Sequence, residues 1–259
     1  MSLAYALLGS VGISVLPLTM MSVYDPNDNH VNSILIALAI GCLQGDAIFH
    51  LIPEALDIHS NFYILALILA GMMTFFAFEQ YLQLYHCGHL HDIGLEDDNI
   101  LTDHTTHNHH SNNNASGPLI IASDTMHNLL DGMAIGVSFK TSMSIGLSTT
   151  LAVLLHEIPH ELSDYAVMGR AGYGRKQILF YSMMASVASL VGACIGYLLP
   201  GADVNKALLG FTAGSFLYIS MADLVPELLH GHGSVGIFWR NILVVSGALL
   251  MLLIKWFFE

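Results

Sequence analysis

Eight stretches of this 259-residue chain are apolar through most of their length and about long enough to cross a bilayer. They fall at roughly 2–23, 31–56, 61–85, 118–138, 143–168, 176–199, 206–229 and 235–257. A backbone in hydrocarbon must satisfy its own hydrogen bonds, so continuous apolar runs of this length fold as helices. Turn-forming residues separate most of them: Asp25-Pro26-Asn27-Asp28-Asn29, Asp57-Ile58-His59-Ser60, Gly172-Tyr173-Gly174-Arg175-Lys176 and Pro200-Gly201-Ala202-Asp203. Hydrophobic residues make up 54% and charged ones 10%, against roughly 25% charged in soluble domains. The expected class is therefore an all-α, multi-pass integral membrane protein whose solvent is the lipid bilayer. Met1 to Tyr24 lacks a basic leader region and reads as the first span, not as a cleaved signal peptide.

The net charge is −13, and the 7 Lys and Arg form no basic face, which excludes nucleic acid as a partner. Cys42 and Cys194 lie in apolar stretches and Cys87 opens a polar one, so no disulfide framework is expected. The long polar interruption divides the single membrane domain into 1–85, a His-rich segment over 86–117, and 118–259. That segment carries His86, His89, His91, His104, His107, His109 and His110 among Asp and Glu residues. Its low hydrophobicity and lack of periodicity read as a disordered loop. A plain linker and weak, exchangeable metal capture are both consistent with it. Arg170, Arg175, Lys176 and Arg240 against Lys140, Lys206 and Lys255 tip the positive-inside rule toward cytosolic odd-numbered loops, this one included. Nothing distinguishes the plasma membrane from an organelle membrane.

Two polar clusters interrupt neighbouring spans. His127-Asn128-Leu129-Leu130-Asp131-Gly132 lies in the fourth, and His156-Glu157-Ile158-Pro159-His160-Glu161 in the fifth. Imidazoles and carboxylates are costly in a bilayer and mark function there. Helical spacing puts Asp124, His127, Asn128 and Asp131 on one face, while His156, His160 and Asp164 recur every fourth residue beside Glu157 and Glu161. A short connection at Thr141–Ser144 makes the two spans antiparallel neighbours, so the faces can meet around a divalent cation such as zinc. Pro159 withdraws a backbone donor and predicts a kink lining a polar cavity. Asp46, His50 and Glu54 form a stripe on the second span; Asp223, Glu227 and His230 form one on the seventh. Each stripe reads as an ion path. The second span's His50-Leu51-Ile52-Pro53-Glu54-Ala55-Leu56 is echoed by Asp223-Leu224-Val225-Pro226-Glu227-Leu228-Leu229. The echo predicts an inverted repeat, a signature of secondary transporters.

His156-Glu157-x-x-His160 also fits the HExxH pattern of zinc proteases. Intramembrane members of that class place an Asp-Gly element after HExxH; here Asp131-Gly132 precedes it. The surplus donors Asn128, Glu161 and Asp164 exceed what an open three-ligand catalytic centre needs. A crowd of weak donors suits a cation that must bind and leave. A transporter is the favoured reading, with an intramembrane protease and a metal-buffering or sensing protein as alternatives.

The motifs resemble those of the Zrt-/Irt-like (ZIP) divalent-metal transporters, in the branch with HExPHE in the fifth span. The matching residues are His127-Asn128-x-x-Asp131-Gly132-x-Ala134-Ile135-Gly136 and Leu154 through Asp164, with Gly45-Asp46 through Pro53-Glu54 and Phe211-Thr212-Ala213-Gly214 with Asp223 and Pro226-Glu227. The resemblance implies an eight-transmembrane-helix bundle, spans 1–3 and 6–8 arranged around spans 4 and 5. It implies a bundle, often a homodimer, that moves zinc and sometimes iron or manganese into the cytosol; no catalytic cofactor is expected, and cadmium is a further candidate substrate. By motif, the metal ligands are His127, Asn128, Asp131, His156, Glu157 and His160; Asp46, His50, Glu54, Asp124, Glu161, Asp164, Asp223, Glu227 and His230 flank the route. A His opening HEIPHE, where manganese-handling relatives have Glu, favours zinc. Two departures stand out. Ser163 replaces a common Gly, and Ser182 to Gly192 of the sixth span lacks the carboxylate of two-metal relatives, offering Ser186 and Ser189 instead.

Overall fold

The computed structural model describes residues 2–25, 28–56, 61–92, 116–230 and 235–258. Among them the chain is helical, without a strand. The α-helices are α1 (Ser2–Met21), α2 (Asn29–Asp46), α3 (Ile52–Ala55), α4 (Asn61–Asp92), α5 (Ser116–Thr141), α6 (Met143–Arg170), α7 (Arg175–Leu198), α8 (Ala202–Ile219), α9 (Val225–His230) and α10 (Ile237–Phe258). π-Helical turns, Ala47–Leu51 and Ser220–Leu224, join α2 to α3 and α8 to α9. Among the described residues, six helical segments are long and apolar enough to cross a membrane: Ser2–Met21, Asn29–Ala55, Phe62–Leu82, Arg175–Leu198, Ala202–Leu229 and Ile237–Phe258. The chain is thus an integral, multi-pass membrane protein. The fourth and fifth predicted spans correspond to α5 and α6. At 26 and 28 residues they are long enough to cross, but their polar clusters dilute the apolar content.

One boundary differs from the sequence expectation. α4 continues past residue 85 to Asp92, so His86, His89 and His91 belong to a helix and not to a loop. Extending an established helix adds one backbone hydrogen bond per residue fixed, which lets it run into polar sequence. His104, His107, His109 and His110 lie outside the described residues.

Small residues set the helix packing. A Cβ on Gly41 would stand 2.0 Å from the Val244 carbonyl oxygen, and one on Gly247 2.8 Å from that of Leu38, joining α2 to α10. Gly214 has the same relation to Ile68 (1.9 Å) and Gly71 to Phe211 (2.1 Å), joining α8 to α4. Only glycine allows backbones this close. The two sets correspond by constant shifts: 173 positions takes 38 to 211 and 41 to 214, and 176 takes 68 to 244 and 71 to 247. The shift of 173 also carries one π turn onto the other, 47–51 to 220–224. Each turn precedes an X-Pro pair, and the N–H of Ile52 and of Val225 bonds five residues back, to Ala47 and Ser220. The wider turn accommodates a proline that crowds the carbonyl four residues before it.

α5 and α6 pack on each other; α5 also packs on α7 and α1, and α6 on α2 and α1. Only Ser142 separates them, and it caps α6 by accepting from the Ile145 N–H at 3.1 Å. Gly132, Gly136, Gly192 and Gly196 press α5 against α7 in the same way. Outward faces of α1, α4 and α10 expose Leu8, Val15, Leu65, Leu69, Val245 and Trp256.

Candidate metal centre

α6 remains helical through Pro159, keeping the HEIPHE side chains in helical register against α5. His127, Asp131, His156 and Glu157 converge there, with ligand atoms all within 4.8 Å of one another. His127 Nε2 lies 3.6 Å from Asp131 Oδ2 and 3.5 Å from Glu157 Oε2. His156 Nε2 is 3.5 Å from the same Asp131 oxygen, and its Nδ1 is 3.4 Å from Asp46 Oδ2 on α2. Asp46 is in turn 3.5 Å from His50. The second-span stripe therefore reaches the centre through Asp46.

Asp46, Asp124, Asp131, Glu157 and Glu161 are all buried, yet no Lys or Arg among the described residues is. Both oxygens of Asp46, Asp131 and Glu157, and both ring nitrogens of His127 and His156, lack hydrogen-bond partners. Asp124, Glu157 and Glu161 also bring carboxylate oxygens within 4.8 Å of one another; at an effective dielectric near 20, two full charges at that distance oppose each other by roughly 3.5 kcal/mol. Buried carboxylates without cationic side chains are stabilised by protons or by a metal cation. The mixture of imidazole nitrogen and carboxylate oxygen is chemistry that holds zinc.

The six-residue ligand set divides. His160 groups with Asp124 and Asp164, not with the four donors above; its ring is nonetheless stacked on His127, centroids 4.9 Å apart. The two His of HExxH thus fall in different donor groups, unlike a protease zinc site. Asn128 is buried beside the four, and its amide donates to Asp124 Oδ1 at 2.8 Å. On α7, Ser182, Ser186 and Ser189 are buried.

A cavity of about 360 Å³ opens beside this region between α4, α5, α6 and the second π turn. Asp124, His160, Asp164, Asp223 and Glu227 line it, so the seventh-span stripe borders open space. Glu227 also pairs with Arg170 at the end of α6. Glu54 lies partly exposed in α3, outside the donor groups found among the described residues. His230 ends α9, and its side chain lies outside the described part.

The sequence reading missed two contributors. Glu79 of α4 lines the cavity and accepts from the Tyr218 hydroxyl at 2.5 Å; a lone carboxylate in an apolar span was the available signal. Phe216 of α8 is fully buried, its ring 4.9 Å from His127 and 5.3 Å from His156. A phenylalanine in an apolar helix gives no such signal.

The sequence profile described as "ZIP Zinc transporter" matches residues 1–255. Zinc transporter zipt-7.1 of Caenorhabditis briggsae is 29% identical over 276 residues, covering 87% of this chain and 69% of the relative. Zinc transporter SLC39A7 of Canis lupus familiaris is 27% identical over 334 residues, covering 97% of this chain and 70% of that protein. Zinc transporter foi of Drosophila melanogaster is 41% identical over 138 residues, 52% of this chain, which spans only 20% of that relative.

Proposed function

The chain belongs to the ZIP zinc transporter family, and from that premise we propose that it carries zinc into the cytosol through the buried centre between α5 and α6. Membership in a family of transporters sets aside the protease reading. The observation that carries the proposal is the convergence of His127, Asp131, His156 and Glu157, buried without hydrogen-bond partners and, among the described residues, without a buried Lys or Arg. Asn128 and His160 complete the central set, His160 from the side of the cavity. Asp46 and His50 flank it on one side, and Asp124, Glu161, Asp164, Asp223 and Glu227 on the other; Glu54 and His230 extend the two stripes.

The proposed architecture is one membrane domain of eight spans, α5 and α6 held between two inverted repeats. Matching π turns and reciprocal glycine contacts support this arrangement. Alternating access would then rock the repeats about the centre. A homodimer and cytosolic metal capture by the histidines of 86–117 belong to the same proposal, as do iron, manganese and cadmium as further substrates.

Zinc-65 uptake into proteoliposomes tests it. The reading expects robust wild-type uptake and its loss in the double variant His156→Ala, His160→Ala. Unchanged uptake in that variant would remove the centre from the transport route.

A further inference from the structure

One donor group beside the cavity is not accounted for by the four-residue convergence. Asp124 of α5 and His160 and Asp164 of α6 bring ligand atoms within 4.8 Å of one another. All three line the cavity, whereas His127, Asp131, His156 and Glu157 do not. His160 is 4% exposed, and its Nδ1, 4.0 Å from Asp164 Oδ2, has no hydrogen-bond partner. A buried imidazole nitrogen directed at a carboxylate without bonding to it is a position where a cation fits between them. The Asn128 amide holds the Asp124 carboxylate from the side of the central donors.

From this geometry we infer that Asp124, His160 and Asp164 form a second, discrete site for a borderline divalent cation. The ion occupies it between the cavity and the central donors. One nitrogen and two carboxylates suit zinc, and three protein ligands leave a position for water. A stop on a transit path must release its ion, and an incomplete ligand set favours release. His160 borders both sites, because its ring stacks on His127. The role of this site in passage rests on the transport reading; its ability to bind does not.

Zinc stoichiometry by equilibrium dialysis of the purified full chain in detergent tests the inference, with Zn²⁺ alone as the probe. Asp164→Asn is expected to lose one bound zinc ion per chain and to keep the ion that His156→Ala removes. Asp164→Glu is expected to restore the lost ion. Binding by Asp164→Asn equal to wild type overturns the inference. So does loss of all zinc in both Asp164→Asn and Asp124→Asn, since the two sites would then be one. Failure of the transport reading looks different: wild-type protein that takes up no zinc in proteoliposomes, whatever its stoichiometry.

Discussion

The second and seventh helical stretches share a sequence pattern, a π turn at the same place and the same glycine contacts with a partner helix. Their acidic residues nevertheless stand in different surroundings. Asp46 is fully buried, with His156 and His50 both within 3.5 Å. Asp223, within the equivalent turn, and Glu227, just after it, line a cavity, and Glu227 is paired with Arg170. The two stretches thus repeat a backbone pattern, while packing closes the surroundings of Asp46 and leaves those of Asp223 and Glu227 open. In the proposed function, the closed wall, at Asp46, would contribute charge to the cation and the open wall, at Asp223 and Glu227, would shape the approach to it.

The largest expected difference between the walls follows from Asp46. Losing a carboxylate that orients a metal-ligating histidine typically costs about 10–100-fold in affinity or activity, so Asp46→Asn should lower initial zinc uptake by roughly 10–100-fold. Asp223→Asn faces the cavity, where water compensates, and should cost severalfold. Equal losses in the two variants would erase the distinction between closed and open walls.

Backbone equivalence is tested by Gly41→Ala and Gly214→Ala. Each forces a methyl group against a carbonyl oxygen, and overpacking of this kind costs about 1–3 kcal/mol. Both variants should lower the apparent Tm in detergent by similar amounts; a large shift in only one would show that the two glycine contacts are not equivalent.

Tyr218→Phe removes the hydroxyl that Glu79 accepts, a loss of about 1 kcal/mol. The expected result is a modest change in the zinc KM, and no change would mean that this pair does not shape the cavity. The smallest effect belongs to the partly exposed Arg170–Glu227 pair, which contributes within about 1 kcal/mol. Glu227→Gln should alter uptake slightly at low ionic strength and not at about 1 M salt, where the screening length is roughly 3 Å. A difference that survives high salt would give Glu227 a direct role at the cation.

Much of this was legible in the chain. His127, Asp131, His156 and Glu157 announced themselves as polar residues at helical spacing in apolar sequence, and the single-residue turn at Ser142 makes their faces meet. Asp46 was visible as part of a stripe, but its contact with His156 was not, since it depends on how α2 lies across α6. Glu79 was overlooked because one isolated carboxylate has no helical partner to form a pattern.

By itself, the sequence determined the helical class, the membrane environment and the donor chemistry. Those follow from local rules: run length, hydropathy, periodicity and the cost of placing titratable groups in hydrocarbon. Tertiary structure alone decided the division of donors into a central four and the group of Asp124, His160 and Asp164. It also decided which repeated wall is closed and placed Phe216 against the imidazoles. These outcomes depend on close approach between helices distant in sequence, set by glycines whose partners are backbone carbonyls, and a carbonyl leaves no trace in the identity of its residue.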